Sequence, residues 1–211
     1  MEWEDITVGE VASELAIKAA KNYIETNFAE TENTKEKLQE LVKNAVEYAN
    51  MIVYEKSREV PELDGMGTTL EVALVSQNRV YIGHVGDSRI YRIRNHIIRK
   101  LTTDHSYVEK LVKDGKITRE EAIHHPKKNM LTKALGCTSF VEPDVSVKGF
   151  LKDDILVITS DGLTNMVKDE EIYNIINSEI ESATSRLIDL ANKNGGIDNI
   201  TVIIIQNRKN P

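Results

Sequence analysis

The chain has 211 residues, with 27 Lys and Arg against 34 Asp and Glu, a net charge of −7 and 40% hydrophobic side chains. That is enough for one domain with a sizeable core, while the acidic balance opposes nucleic-acid binding, because the phosphate backbone would be repelled. No apolar run approaches the roughly 18 residues of a membrane helix, the opening Met1-Glu2-Trp3-Glu4-Asp5 lacks the basic start of a secretory signal, and the single cysteine, Cys137, fits a reducing, cytoplasmic setting without internal disulfides.

Val8, Val11, Ala12, Leu15, Ala19 and Tyr23 recur at helical spacing and predict a helix over 8–24. After the polar stretch Phe28–Thr34, a second helix carries Leu38, Leu41, Val42, Ala45, Val46, Ala49 and Ile52 on one stripe. The period then changes to two. Leu70, Val72 and Leu74 form a strand, Gln77-Asn78 turns the chain, and Arg79–Val85 returns. Arg89–Arg94, the turn Asn95-His96 and Ile97–Leu101 extend this into an expected four-stranded antiparallel meander. Residues 104–136 are basic and loop-rich, with short helices at Tyr107–Val112 and after the capping box Thr118-Arg119-Glu120-Glu121. They read as a flap inserted into a single domain spanning 1–211. Strands at Asp144–Val147 and Ile155–Thr159 follow. Then come helices at Asp169–Ile180 and from Ser182 to Asn194-Gly195-Gly196, and a last strand, Ile200–Ile205. Its lack of alternation predicts a central strand or one buried on both faces.

Three aspartates stand beside glycines at strand ends. Asp87 follows Arg79–Val85 through Gly86, Asp161 follows Ile155–Thr159 and precedes Gly162, and Asp198 follows Gly195-Gly196 ahead of the last strand. If that strand runs antiparallel to the others, all three carboxylates meet at one sheet edge, about 4.8 Å apart per strand. Clustered carboxylates need a cation, and an all-oxygen ligand set favours Mg²⁺ or Mn²⁺. Taken singly, each Asp also serves as a turn residue. His105, His124 and His125 read as turn and packing residues, with a phosphate contact from the flap as the other reading.

The motifs Gly65-Met66-Gly67-Thr68-Thr69, Gly86-Asp87-Ser88-Arg89, Leu101-Thr102-Thr103-Asp104-His105-Ser106, Ala134-Leu135-Gly136, Thr159-Ser160-Asp161-Gly162 and Gly196-Ile197-Asp198-Asn199 occur in one order along the chain. In that order they resemble the bacterial type 2C metal-dependent serine/threonine protein phosphatases. The resemblance implies an α+β fold, an α-β-β-α sandwich of four layers with two antiparallel sheets. It implies that Asp161 and Asp198 bind a core Mn²⁺ or Mg²⁺, that Asp87 with Asp161 holds a looser ion, and that the flap selects substrate. Partners would be phosphorylated proteins, the products of a serine/threonine kinase.

The family also opens with strands carrying Arg-x-x-Asn-Glu-Asp and Asp-Gly-Met-Gly-Gly, where this sequence has only Met1–Val8 ahead of Gly9. Asp64-Gly65-Met66-Gly67 imitates the second motif but reads as the later turn, so Asp64 receives no metal role. Two dications about 4 Å apart repel by roughly 17 kcal/mol at an effective dielectric of about 20, and the bridging carboxylate belongs to the absent motifs. The expectation is an N-terminally incomplete fold, weak binding of one ion, low or no activity, and a homodimer or aggregation at unpaired strand edges. The alternative function is an inactive phosphatase-like module that binds phosphoprotein. A metal-dependent nuclease is disfavoured by the negative charge.

Overall fold

The structure, a computed structural model, describes residues 8–208; the acidic opening Met1–Asp5 lies outside them. The described chain forms two compact units. One takes the residues up to Gly86 together with His105–Gly149, the other Asp87–Asp104 together with the residues from Phe150 onward.

In the first unit α1 (Val8–Asn27) and α2 (Lys35–Glu59) pack together. Thr34 caps α2 by accepting a hydrogen bond from the Lys37 backbone N–H. Ala12, Ala16, Ala19 and Ala20 of α1 are buried in the same cluster as Leu38, Leu41, Val42, Val46 and Ala49 of α2; the small residues bring the helix axes close. A three-stranded antiparallel sheet in the order β1-β2-β5 is built from β1 (Leu70–Ser76), β2 (Arg79–Val85) and β5 (Asp144–Gly149). Gln77 and Asn78 both take positive φ (48° and 59°), the requirement of the two-residue turn that matches strand twist. Gly83 lets α2 lie on β2, since a Cβ there would stand 2.8 Å from Val42 Cγ1 and 2.9 Å from Val46 Cγ2. The flap residues contribute α3 (Tyr107–Lys113), capped by Ser106, and α4 (Arg119–Ile123), opened by the expected Thr118–Glu121 capping box. Arg119 ties the two by donating to the Glu109 carboxylate.

The second unit holds a four-stranded antiparallel sheet in the order β4-β3-β6-β7, from β3 (Arg89–Arg94), β4 (Ile97–Lys100), β6 (Ile155–Thr159) and β7 (Val202–Gln206). Three helices accompany it: α5 (Asp161–Thr164), α6 (Asp169–Ser178) and α7 (Ala183–Lys193). Tyr91, Ile93 and Val157 of the sheet share a core with Leu163, Ile172, Ile176, Leu187 and Ala191; each large aliphatic buried there contributes about 1.5–3 kcal/mol. Asp154, 2% exposed, is held by Arg94 Nε and Nη2 at 2.7 and 2.6 Å and by the Leu151 N–H at 2.6 Å.

The α+β class with two antiparallel sheets is as expected, and the seven expected strands and both long helices fall where the sequence puts them, within a few residues at their ends. Two expectations are corrected. The four early strands are not one meander: β1-β2 and β3-β4 are hairpins of different sheets. Gly86, at φ +117°, and the residues after it carry the chain from one sheet to the other instead of closing a tight hairpin. The last strand is neither central nor doubly buried. Among the described residues β7 pairs with β6 alone and Ile203 is 48% exposed; an unbroken apolar run records hydrophobicity, not the number of covered faces. α5, four residues long, is too short to leave a periodic signal.

Candidate metal centre

Strand register brings the three aspartates to one end of the second unit's sheet. Arg89 pairs with Thr159 across β3 and β6, so Asp87, two residues before Arg89, and Asp161, two after Thr159, leave adjacent strands at the same end. Thr159 in turn pairs with Val202 of β7, and Asp198 lies four residues before Val202. The expected convergence is therefore present, with one change in route: Asp87 reaches the end through β3, the strand it precedes, because β2 belongs to the other sheet.

Close backbone contact fixes the Asp161–Asp198 side. A Cβ on Gly162 would lie 2.3 Å from the Asn199 carbonyl oxygen, so only glycine admits the incoming loop against the start of α5. Ser160 Oγ donates to Asn199 O at 3.0 Å and accepts from the Thr201 N–H at 3.0 Å, while Thr159 Oγ1 donates to Thr201 O at 2.8 Å. One oxygen of Asp161 accepts from Asn165 Nδ2 at 3.0 Å, and Asp198 Oδ1 accepts from the Asn199 N–H at 2.7 Å. Each carboxylate is thus oriented while part of its acceptor capacity remains open.

The electrostatics tie the carboxylates into two neighbouring pairs. Burial, then the charges of Asp161 and Asp104, push the Asp87 carboxyl up to about 6. Burial and then the Asp198 charge push Asp161 up as well. Asp161 therefore interacts with both of the others. Among the described residues no three His, Cys, Asp or Glu side chains close on a single point as a ready metal-binding group; the carboxylates that influence one another are the pairs Asp87–Asp161 and Asp161–Asp198.

Sequence reasoning missed the cation beside them. Arg89 lowers both Asp87 and Asp161 electrostatically. Burial works against its own charge, but Asp104 holds the guanidinium charged through Nε at 3.1 and 3.2 Å and Nη2 at 2.7 Å. Lys100 joins Asp104 at 2.9 Å, and Tyr91 accepts from Arg89 at 3.3 Å and donates to Asp169 at 3.0 Å. The signal was its place two residues from Asp87 in Gly86-Asp87-Ser88-Arg89. Asp64, without a metal role in the sequence, pairs with Arg58 on the surface.

In the first unit, His105 has the packing role of its two readings. It stacks on the buried His84 with ring centroids 4.5 Å apart, and its Nδ1 accepts the Gly86 N–H at 3.1 Å. The His105 backbone N–H donates to Gly86 O at 2.7 Å. Burial and then His84 hold the His105 imidazole below its usual range, against Asp144. His125 Nδ1 accepts the Lys127 N–H, a turn contact.

A family model described as Protein phosphatase 2C matches residues 6–195. The chain belongs to the protein phosphatase 2C family. It is a protein serine/threonine phosphatase, and its relatives agree with that class. The serine/threonine phosphatase Stp of Listeria monocytogenes is 39% identical over 200 residues, covering 94% of this chain and 79% of Stp. The solved serine/threonine phosphatase PstP/Ppp of Mycobacterium tuberculosis superposes with a TM-score of 0.87 at 34% identity, over 96% of this chain and 83% of that one. A second structure, the catalytic domain of PstP in complex with two manganese ions, superposes with a TM-score of 0.80 at 34% identity, over 92% of this chain and 80% of that one. Among the described residues of this phosphatase, no helix is long and apolar enough to cross a membrane.

Proposed function

We propose that this phosphatase hydrolyses phosphoserine and phosphothreonine in proteins with Mn²⁺ or Mg²⁺ held by the Asp161–Asp198 pair, and that Asp87 with Asp161 holds a further, looser ion. The observation that carries the reading is the register-driven meeting of three carboxylates at one sheet end, with Asp161 common to both pairs. The donor set fits such ions: every donor is a carboxylate oxygen, and an ion of this class takes one or two carboxylates and fills its remaining positions with water and substrate phosphate.

When bound, such ions supply Lewis-acid neutralisation of phosphoryl charge and a water of lowered pKa. The protein's own residues orient the ligands. Asn165 and the Gly162 N–H hold the Asp161 carboxylate, whose further lone pairs would take an ion. The Asn199 N–H holds one Asp198 oxygen in the same way. Arg89, locked by Asp104, stands near Asp87 and Asp161 and moderates their mutual repulsion.

The flap over 104–136 is read as the substrate-selecting part of a single phosphatase domain; its exposed Lys127 and Lys128 suit an acidic phosphopeptide. The substrates are products of a serine/threonine kinase, and a single cysteine suits a cytoplasmic location. The test is Mn²⁺-dependent phosphate release from a phosphothreonine peptide by the wild type and by Asp161→Ala. The expected result is loss of about two orders of magnitude or more in kcat/KM for the variant. Equal rates would remove Asp161 from the chemistry and leave a module that binds phosphoprotein as the better reading.

A further inference from the structure

Ser160 occupies the N-cap of α5 with extended backbone (φ −73°, ψ 167°), the position where a serine hydroxyl ordinarily accepts a hydrogen bond from the first turn of its own helix. It makes no such bond. Its Oγ is turned onto the segment entering β7, donating to Asn199 O and accepting from the Thr201 N–H, each at 3.0 Å. Its backbone N–H donates to Thr201 O at 3.2 Å, so one residue makes three hydrogen bonds to that segment. The residues held are exposed: Gly195–Asn199 and Thr201 all face solvent. Ile200, between the two gripped residues, packs against the second unit's core, but the residues on the Asp198 side of it are exposed, and Asp198 sits among them.

We propose that Ser160 is a positioning residue for the metal pair. Resting on the reading of Asp161 and Asp198 as ligands, the inference is that its hydroxyl pins Asn199 and Thr201 so that Asp198 stays facing Asp161. The two ligands come from segments 37 positions apart in sequence, and the residue next to one of them grips the residue next to the other. Gly162 provides the space, since the Asn199 carbonyl fills the place of its missing Cβ. The helix gives up its cap, a contribution of about 1 kcal/mol in ordinary helices. The physical consequence is specific. With the hydroxyl removed, Asn199 O and the Thr201 N–H, both on exposed residues, lose that partner while the Ser160 N–H and Thr159 Oγ1 still hold Thr201 O, so the fold loses little while the Asp198 side of the loop gains freedom. An ion that needs both carboxylates must then order the loop on binding, which weakens its affinity.

The experiment measures Mn²⁺ binding by calorimetry and by electron paramagnetic resonance of the free ion, and melting without metal. The proteins compared are the wild type, Ser160→Ala, Ser160→Thr, Ser160→Cys, Asp161→Asn and Asp198→Asn. The expected result is Mn²⁺ affinity about tenfold weaker in Ser160→Ala, equivalent to ~1.4 kcal/mol, with the melting temperature within about 4 °C of wild type. Ser160→Thr keeps the hydroxyl in an extended conformation that suits a β-branched residue and restores the affinity. Wild-type Mn²⁺ binding by Ser160→Ala, with weakened binding by Asp161→Asn or Asp198→Asn, overturns the positioning role and leaves the metal reading intact. A loss that Ser160→Thr does not restore overturns it as well. Unchanged binding in both aspartate variants removes the metal reading itself and the inference with it. Should Ser160→Ala fail to fold, Ser160→Cys decides, because sulfur accepts hydrogen bonds poorly: weakened binding supports the role and wild-type binding ends it.

Discussion

Replacing Gly162 by alanine forces a collision whose size can be read from the backbone. The added Cβ would stand 2.3 Å from Asn199 O and 2.9 Å from Asn199 C. Ordinary contact begins near 3.4 Å, so the two segments must part by about 1 Å. The obstacle is main chain, which has no rotamer to escape into. Overpacking of this severity costs ~3 kcal/mol at the upper end of the usual range, and the better helix propensity of alanine offsets about 1 kcal/mol. The net expectation is a loss of ~2 kcal/mol of stability, read from urea unfolding as a lower midpoint with unchanged slope. The displaced residue neighbours Asp198, so Mn²⁺-dependent phosphatase activity should fall more than stability alone explains, at temperatures where the variant is fully folded. A Gly162→Ala protein with wild-type midpoint and activity would refute the close approach and the ligand pairing that depends on it.

Asp154 supplies a pH signature. Burial opposes its charge, but the Arg94 hydrogen bonds and the Leu151 N–H hold its carboxyl below the usual range. A depressed native carboxyl stabilises the fold above the unfolded pKa of about 4, and that stability is lost as pH falls through the lower native value. Asp154→Ala should therefore cost on the order of 2 kcal/mol at pH 7, with the difference from wild type shrinking in urea titrations run below about pH 4; a difference independent of pH would contradict the assignment. His105→Leu leaves the Gly86 N–H without its acceptor and should cost ~2 kcal/mol in urea unfolding, the penalty for a buried unsatisfied donor. His105→Asn, which keeps an acceptor near the Nδ1 position, should recover part of that; equal losses would show that the hydrogen bond to Gly86 contributes nothing.

Much of the architecture was legible because it is local. The 3.6-residue stripe of Leu38 through Ala49 and the alternation from Leu70 to Leu74 follow from burial of one face. Gln77-Asn78 and Asn95-His96 mark turns because both residues of each pair tolerate positive φ. Asp87, Asp161 and Asp198 were found because glycines flank them and strands adjoin them. Arg89, Asn165 and Ser160 were not singled out: an arginine in a strand, an asparagine in a one-turn helix and a serine before an aspartate are common, and nothing in their neighbours names the groups they reach. The partnering of β2 and β7 was misread for a related reason. A hydrophobic run is equally compatible with a central strand and with an outer one, and a turn can close a hairpin or pass between sheets.

Residue order alone settled which segments are helix and strand, because backbone preference and side-chain period act over a few positions. The ordered set of motifs placed the chain among the type 2C phosphatases for the same reason, each motif being a local string. The meeting of Asp161 with Asp198 was decided by folding. It depends on which strand of β6 and β7 lies beside which, in what register, and on the space that one absent side chain at Gly162 leaves for Asn199; contacts between distant segments are set by packing, which no short stretch of sequence encodes.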